Sequence, residues 1–203
     1  MLELYFHPLA SFCWKVLIAL YEREIAFTPH VIDLGDLTQR AALVALWPFA
    51  QFPVLRDGDV VVPESTTILE YLARHHGGVP ADGFEIRARD RFFDHHVMEP
   101  MQRIVAELRK PVDASIIEAA KQTLVTAYGL VDGWLADRTW ACGETFTMAD
   151  CAAAPSLFYA NELVPIEAPH ARAYLARLLA RPSMIRVRAE AQPYWHYFPG
   201  RRV

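Results

Sequence analysis

Two segments of the chain carry groups able to hold or activate a ligand. In the first, Gln51 to Ser65, the β-prone runs Val54 to Arg56 and Val60 to Val62 flank Asp57-Gly58, a dipeptide suited to a type I′ turn. Pro53 stands just before the first run, which marks a strand entrance and a candidate cis bond. Glu64-Ser65 opens the apolar-periodic run Ile68, Leu69, Tyr71, Leu72 as a helix start does. The hairpin therefore delivers a backbone edge at Phe52-Pro53 and a helix N-terminus at Ser65, whose unpaired N–H groups and field favour a carboxylate. Taken singly, Pro53 also reads as a strand-edge proline and Glu64-Ser65 as a plain helix cap. The second segment, His7 to Val16, leaves a strand and enters a helix, bringing the Ser11 hydroxyl and the Cys13 thiol to its start.

Composition removes several alternatives. The 203 residues suffice for a proper core and one or two domains, and the formal charge of −4 is spread without long like-charge runs, which argues against nucleic-acid binding. Met1 to Tyr5 lacks the basic and apolar regions of a secretory signal, and no apolar stretch is long enough to span a bilayer, so a soluble cytosolic protein is expected. Cys13, Cys142 and Cys151 are odd in number without C-x-x-C spacing, which suggests reduced thiols rather than disulfides or a zinc ribbon. His75-His76 and His95-His96 are adjacent pairs whose members do not share a helix face, so no metal site is expected.

These segments need elements to position them. Leu2 to Phe6 reads as a strand, Phe12 to Tyr21 as a helix apolar on most sides, Phe27 to Ile32 as an edge strand tolerating Pro29, and Leu37 to Leu46 as a short helix. With the hairpin and a helix from about Ser65 to His76 the order is β-α-β-α-β-β-α, with a parallel crossover followed by an antiparallel hairpin. Beyond the Gly-rich break at residues 78–84 strand signals stop. Ile86, Phe93, Val97, Met101, Ile104 and Leu108 share a helical face that Pro100 should kink, and Ile117 to Leu135 forms a partner helix. Thr147 and Asp150 form an acidic capping box, with Phe146 and Cys151 spaced for a hydrophobic staple. Asp150 is read as a folding device worth about 0.5–2 kcal/mol if capping is its main role. Two further helices follow near Ala168 to Ala180 and Ser183 to Glu190. The aromatic tail, Tyr194 to Pro199, is expected to pack back on the molecule, as core or as the lining of a cavity.

The run F-P-V-L, a short hairpin, and P-E-S leading into I-L-E-Y-L resembles the glutathione site of the glutathione transferase family. The element order is similar to that of the thioredoxin-like domain these proteins share, and T-M-A-D-C-A-A-A-P resembles the cap and buried helix of their all-helical domain. The resemblance covers nearly the whole chain. It implies a thioredoxin-like α/β domain over residues 1–77, a linker over 78–84 and an all-α domain over 85–203. It further implies that Phe52 and Pro53 pair with the cysteinyl backbone of glutathione, that Glu64 and Ser65 hold its γ-glutamyl end, and that Gln51 stands where many relatives carry a lysine for its glycine carboxylate.

Against S-P-F-C-R-K-V, the family's activating serine falls on Ala10 and Ser11 takes the proline position. Ser11 is then either the shifted activating hydroxyl or an N-cap, and Cys13 is either a second candidate or a buried thiol; Tyr5 carries a further phenol, with core burial as its other reading. The activity implied is attack of glutathione thiolate on an apolar electrophile, by a cytosolic homodimer without a metal. Phe92, Phe93, Met101, Tyr159 and the tail are candidate pocket walls. The alternatives are a glutathione-dependent disulfide reductase or isomerase, and a non-catalytic glutathione-binding or interaction module.

Overall fold

The structure is a computed structural model that describes residues 1–109 and 113–199; positions 110–112 and 200–203 of the expected helical domain lie outside the described residues. Four strands, β1 (Leu2–Phe6), β2 (Thr28–Val31), β3 (Val54–Asp57) and β4 (Val60–Pro63), form one sheet in the order β2-β1-β3-β4. β1 and β2 run parallel, joined through α1 (Ser11–Glu22), while β3 pairs antiparallel with β1 and β4. α2 (Leu37–Leu46) leads from β2 towards β3, and α3 (Ser65–His75) follows β4.

Pro29 shows why β2 can be an edge. The Ile32 N–H donates to Phe6 C=O across the parallel pair at 2.8 Å, so alternation turns Thr28 and His30 towards β1 and Pro29 outwards, where no N–H is required. The hairpin turn differs from the expected one. Asp57 pairs with Val60, so the two turn residues are Gly58 and Asp59, and only Gly58 has positive φ, at 59°. Glycine at the first central position with a negative-φ residue after it is the type II′ pattern. Asp57 stays in the strand, where its carboxylate accepts from the Tyr71 hydroxyl (3.0 Å) and pairs with His76 Nε2 (2.7 Å).

Strand alternation divides the apolar side chains between two faces. Leu4 and Phe6 join α1, α3 and the later helices in the main core, whereas Tyr5 joins Ile32, Leu43 and Val54 in a small cluster under α2. The Tyr5 hydroxyl donates to Glu3 and its ring stacks on His30, so its phenol is engaged in this small cluster. α2 is held chiefly by its cap, with Asp36 accepting from Thr38 and Gln39 N–H groups, since Leu43 is its one buried residue.

The remaining helices are α4 (Phe84–Phe92), a π-helical turn (Phe93–Met98), α5 (Glu99–Glu107), α6 (Ala114–Trp134), α7 (Met148–Asn161), α8 (Pro169–Leu179) and α9 (Pro182–Ala191), then a 3₁₀ turn over Gln192–Tyr197. The kink expected at Pro100 takes the form of the π turn. Pro100 sits in the first turn of α5, and the widened turn before it is one way a ladder accommodates a missing N–H. Among the described residues no helix is long and apolar enough to cross a membrane.

α7 is the centre of the helical part, buried at every position except Phe158 and Asn161. Thr147 and Asp150 form the reciprocal capping box. Phe146, expected to staple onto Cys151, instead lies edge-on to Trp140 with the Arg181 guanidinium over its ring. Asp150 does more than cap. Its carboxylate accepts from Thr147 N–H (2.8 Å), Ala141 N–H (2.8 Å), the Thr147 hydroxyl (3.1 Å) and the Tyr174 hydroxyl (2.5 Å). The aromatic tail packs back as expected, Trp195 lying against Phe158, Tyr159 and Phe198. Replacing Asp150 by Ala strands several buried donors as well as the cap, so urea unfolding should show a loss of about 2–4 kcal/mol, above the roughly 0.5–2 kcal/mol of a cap alone.

Candidate active site

Two adjoining cavities occupy the cleft between the sheet-bearing part and α5. The first, of about 620 Å³, is lined on one side by Trp47, Gln51, Phe52, Pro53, Glu64 and Ser65 and on the other by Arg91, Asp94, His95, Glu99 and Gln102. The second, of about 340 Å³, lies between Leu9 to Phe12 at the start of α1 and Met101 to Ala106 on α5, with Tyr159, Phe198 and Arg109 completing it. Phe12, Phe52 and Gln102 line both. A larger hollow of about 850 Å³ between β2 and α9 contains none of the candidate binding or catalytic residues, and of the candidate walls only Tyr194 of the tail.

The five binding candidates Gln51, Phe52, Pro53, Glu64 and Ser65 thus converge on the first cavity. The Phe52-Pro53 bond is cis, and Phe52 lies just ahead of β3. Ser65 is the first residue of α3 and is buried, so the helix N-terminus opens into the cavity. Glu64 precedes it as the cap residue but makes no side-chain cap bond; its backbone is held at φ 68° and ψ 122°. For a non-glycine residue that conformation costs roughly 1–3 kcal/mol and persists only where the surroundings impose it.

Ser11 and Cys13 part company. Ala10, not Ser11, is the cap residue of α1, so the N-cap reading of Ser11 gives way to a place in the first helical turn. There Ser11 lines the second cavity, and its Oγ accepts from Gln102 Nε2 at 3.3 Å. With that acceptor position taken, the hydroxyl hydrogen is free for another partner. Cys13 is fully buried, lines neither cavity, and burial pushes its thiol up to about 12. A thiol in that state is not a nucleophile at neutral pH.

The loop that presents Ser11 is fastened from the helical side. Trp14 Nε1 donates to Pro8 C=O at 2.5 Å and the Tyr159 hydroxyl to Leu9 C=O at 2.8 Å, so α7 and α1 together set its path. Of the aromatic wall candidates, Tyr159, Phe198 and also Met101 do line the second cavity. Phe93 is fully buried in the core and Phe92 packs edge-on to Trp134, so both lie away from it.

Beneath the first cavity lies a buried ionic cluster. Lys15 Nζ contacts Asp90 Oδ1 (2.7 Å), Asp94 Oδ2 (2.8 Å) and Thr66 Oγ1 (2.7 Å). Thr66 in turn donates to Asp90 at 2.8 Å, and Arg91 pairs with Asp94. Lys15 and Asp90 are wholly buried. Burial holds the Asp90 carboxyl above the usual carboxylate range; the Lys15 charge opposes this and the Asp94 charge adds to it. No role was read for Lys15, Asp94 or Gln102 in the sequence. For Lys15 a signal existed: a lysine inside a helix that is apolar on most sides is a buried charge and demands partners.

Comparisons with known proteins identify the family. The glutathione S-transferase N-terminal domain matches residues 4–80 and the glutathione S-transferase C-terminal domain residues 94–182. Glutathione S-transferase 3 of Zea mays is 28% identical over 201 residues, covering 90% of each chain. Among solved structures, glutathione transferase F7 from Populus trichocarpa superposes with a TM-score of 0.81 at 22% identity, covering 94% of this chain and 99% of that one. A glutathione S-transferase from Methylobacillus flagellatus, solved with glutathione bound, gives 0.82 at 21% identity over 92% of this chain and 98% of its own.

Removing Lys15 leaves the Asp90 and Asp94 carboxylates close together, with Arg91 at the cluster's edge as the remaining cation beside them. Lys15→Met should cost about 3–5 kcal/mol at neutral pH. Its folded state then binds more protons than the unfolded chain, so the variant should gain stability as pH falls from about 7 to 5. Chemical denaturation across that range checks the sign.

Proposed function

The chain belongs to the glutathione S-transferase family, and from that premise we propose that it conjugates the glutathione thiolate to apolar electrophiles, using Ser11 to stabilise the sulfur charge. The observation that carries this reading is the shared wall: the cavity holding all five binding candidates adjoins the one Ser11 lines, through Phe12, Phe52 and Gln102. In this reading residues 1–77 supply the glutathione site and 85–203 the wall of the electrophile pocket. Phe52 and Pro53 offer their backbone to the cysteinyl unit, and the N-terminus of α3 with Glu64 and Ser65 takes the γ-glutamyl end, a carboxylate at a helix N-terminus being favoured by unpaired N–H groups. Gln51, exposed at the rim, meets the glycine carboxylate with an amide in place of a charge.

The sulfur then lies at the junction of the cavities. There the Ser11 hydroxyl donates to it while Gln102 occupies the Ser11 oxygen, and the first turn of α1 adds the field of a helix N-terminus. The thiol proton passes to solvent. The thiolate attacks the electrophilic carbon held in the second cavity, a C–S bond forms, and the leaving group departs with its bonding electrons. The disulfide-reductase alternative needs a reactive thiol, and Cys13 is buried with its ionisation suppressed. A cytosolic homodimer is part of the same proposal; it is supported by apolar surface on the sheet-bearing part, where Phe49 is 71% exposed and Val60 48% exposed.

Ultraviolet titration of bound glutathione should show a lowered thiol pKa in the wild type, lost in Ser11→Ala, with kcat/KM down by about 10²-fold, as for loss of one donor to a developing anion. Cys13→Ala should keep that thiolate and most activity. An unchanged thiolate in Ser11→Ala would assign activation to backbone groups instead. Glu64→Gly, which suits the positive φ, should keep stability within about 1 kcal/mol while calorimetry shows weaker glutathione binding, separating ligand contact from folding.

A further inference from the structure

The second cavity is asymmetric in its polarity. Leu9, Met101, Val105, Ala106, Tyr159 and Phe198 give it apolar sides, Ser11 and Gln102 are polar groups where it adjoins the first cavity, and its one charged lining residue among those described is Arg109. On α5 and the turn after it, Gln102, Val105, Ala106 and Arg109 recur at helical spacing, so they follow one face. Gln102 to Arg109 is seven residues, a rise of about 10 Å along a helix.

Arg109 is not spoken for by an acid. Its Nη2 donates to Tyr197 C=O at 3.2 Å, which anchors the head, and among the described residues no carboxylate pairs with it. Among the described residues no carboxylate lines this cavity, whereas the first cavity contains Glu64, Asp94 and Glu99. A guanidinium held by one N–H keeps further donors in a planar fork suited to a carboxylate or sulfonate.

We propose that the electrophile of this enzyme carries an anionic group at the end opposite its reactive carbon, and that Arg109 at the mouth of the second cavity selects for it. This rests on the glutathione-conjugation reading and narrows its substrate class from apolar electrophiles to apolar electrophiles with an acidic tail. Arg109 is a specificity residue, at a distance from the sulfur set by two turns of helix. Because it is exposed, its effect is that of a rim charge, roughly a twofold to fivefold preference that weakens with salt.

The test uses matched pairs that differ only in charge: the glutathione conjugates bearing a para-carboxylate or a para-carboxamide on a nitrophenyl ring, and the parent para-chloro-meta-nitrobenzoate and para-chloro-meta-nitrobenzamide. In turnover the thiolate attacks the chlorine-bearing carbon, the C–S bond forms, the C–Cl bond breaks and chloride leaves with the electron pair. Calorimetry on the full chain should give the carboxylate conjugate the tighter binding by about twofold to fivefold, with kcat/KM for the parent pair, each divided by the rate of its uncatalysed reaction with glutathione, shifted the same way. Arg109→Gln should abolish the preference without changing affinity for glutathione itself, and Arg109→Lys should retain part of it. Equal binding of both conjugates by the wild type, or a preference that survives in Arg109→Gln, overturns the proposal and leaves the conjugation reading standing. If neither conjugate binds, the glutathione reading fails and this inference falls with it.

Discussion

The buried charge of Lys15 is the constraint on which the site depends. α1 carries nine buried residues of its twelve, and an ammonium in their midst is tolerable only with ionic partners at hydrogen-bond distance. Those partners come from α3 and from the α4 to π-turn segment, so satisfying one charge ties together three elements distant in sequence. The same elements wall the first cavity: α3 supplies Ser65 and Thr66, and the π turn supplies Asp94 and His95. The width of the cleft is thereby set by electrostatics under its floor as well as by apolar packing. Ion pairing of this kind is a poor source of net stability against a well-packed apolar alternative, but its disruption is costly, which makes it a strong fixer of relative position.

A second line of dependence runs from α7 to Ser11. Asp150 collects the α7 N-terminus, the Ala141 backbone and the Tyr174 hydroxyl. α7 then presents Tyr159, whose hydroxyl reaches the backbone of Leu9, and Phe158, which stacks on Trp14. Trp14 in turn holds Pro8. A capping carboxylate in the helical part is therefore connected, through Tyr159 and through the Phe158–Trp14 stack, to the path of the loop that carries the candidate hydroxyl. Damage to Asp150 reaches the site through packing even though the residue is remote from it.

Much of this architecture was legible in the sequence because its signals are local. The order of elements, Pro29 on an edge strand, Pro53 before β3, the helix start at Ser65 and the Thr147–Asp150 capping box all follow from a few neighbouring residues. Where local signals compete, one register decides. The hairpin shifted by one residue because Asp57 is retained in the strand by Tyr71 and His76, contacts no dipeptide rule contains. Ser11 likewise reads as a cap by residue type, yet Ala10 takes that place and leaves the hydroxyl to Gln102. The Lys15 cluster and the part played by Gln102 join residues some 80 to 90 positions apart, and periodicity gives no distance information across such a separation. Phe92 and Phe93 were misread as walls because aromatic content marks apolar surface without saying which cavity or core receives it.

The wall common to the two cavities has a thermodynamic consequence. Phe12, Phe52 and Gln102 line both cavities, so a displacement of these side chains by a ligand in one would be felt by a ligand in the other. Such coupling is reciprocal by necessity: whatever factor the first ligand applies to the affinity of the second, the second applies to the first. Under the proposed function, the two ligands are coupled to the extent that binding of one moves these three side chains.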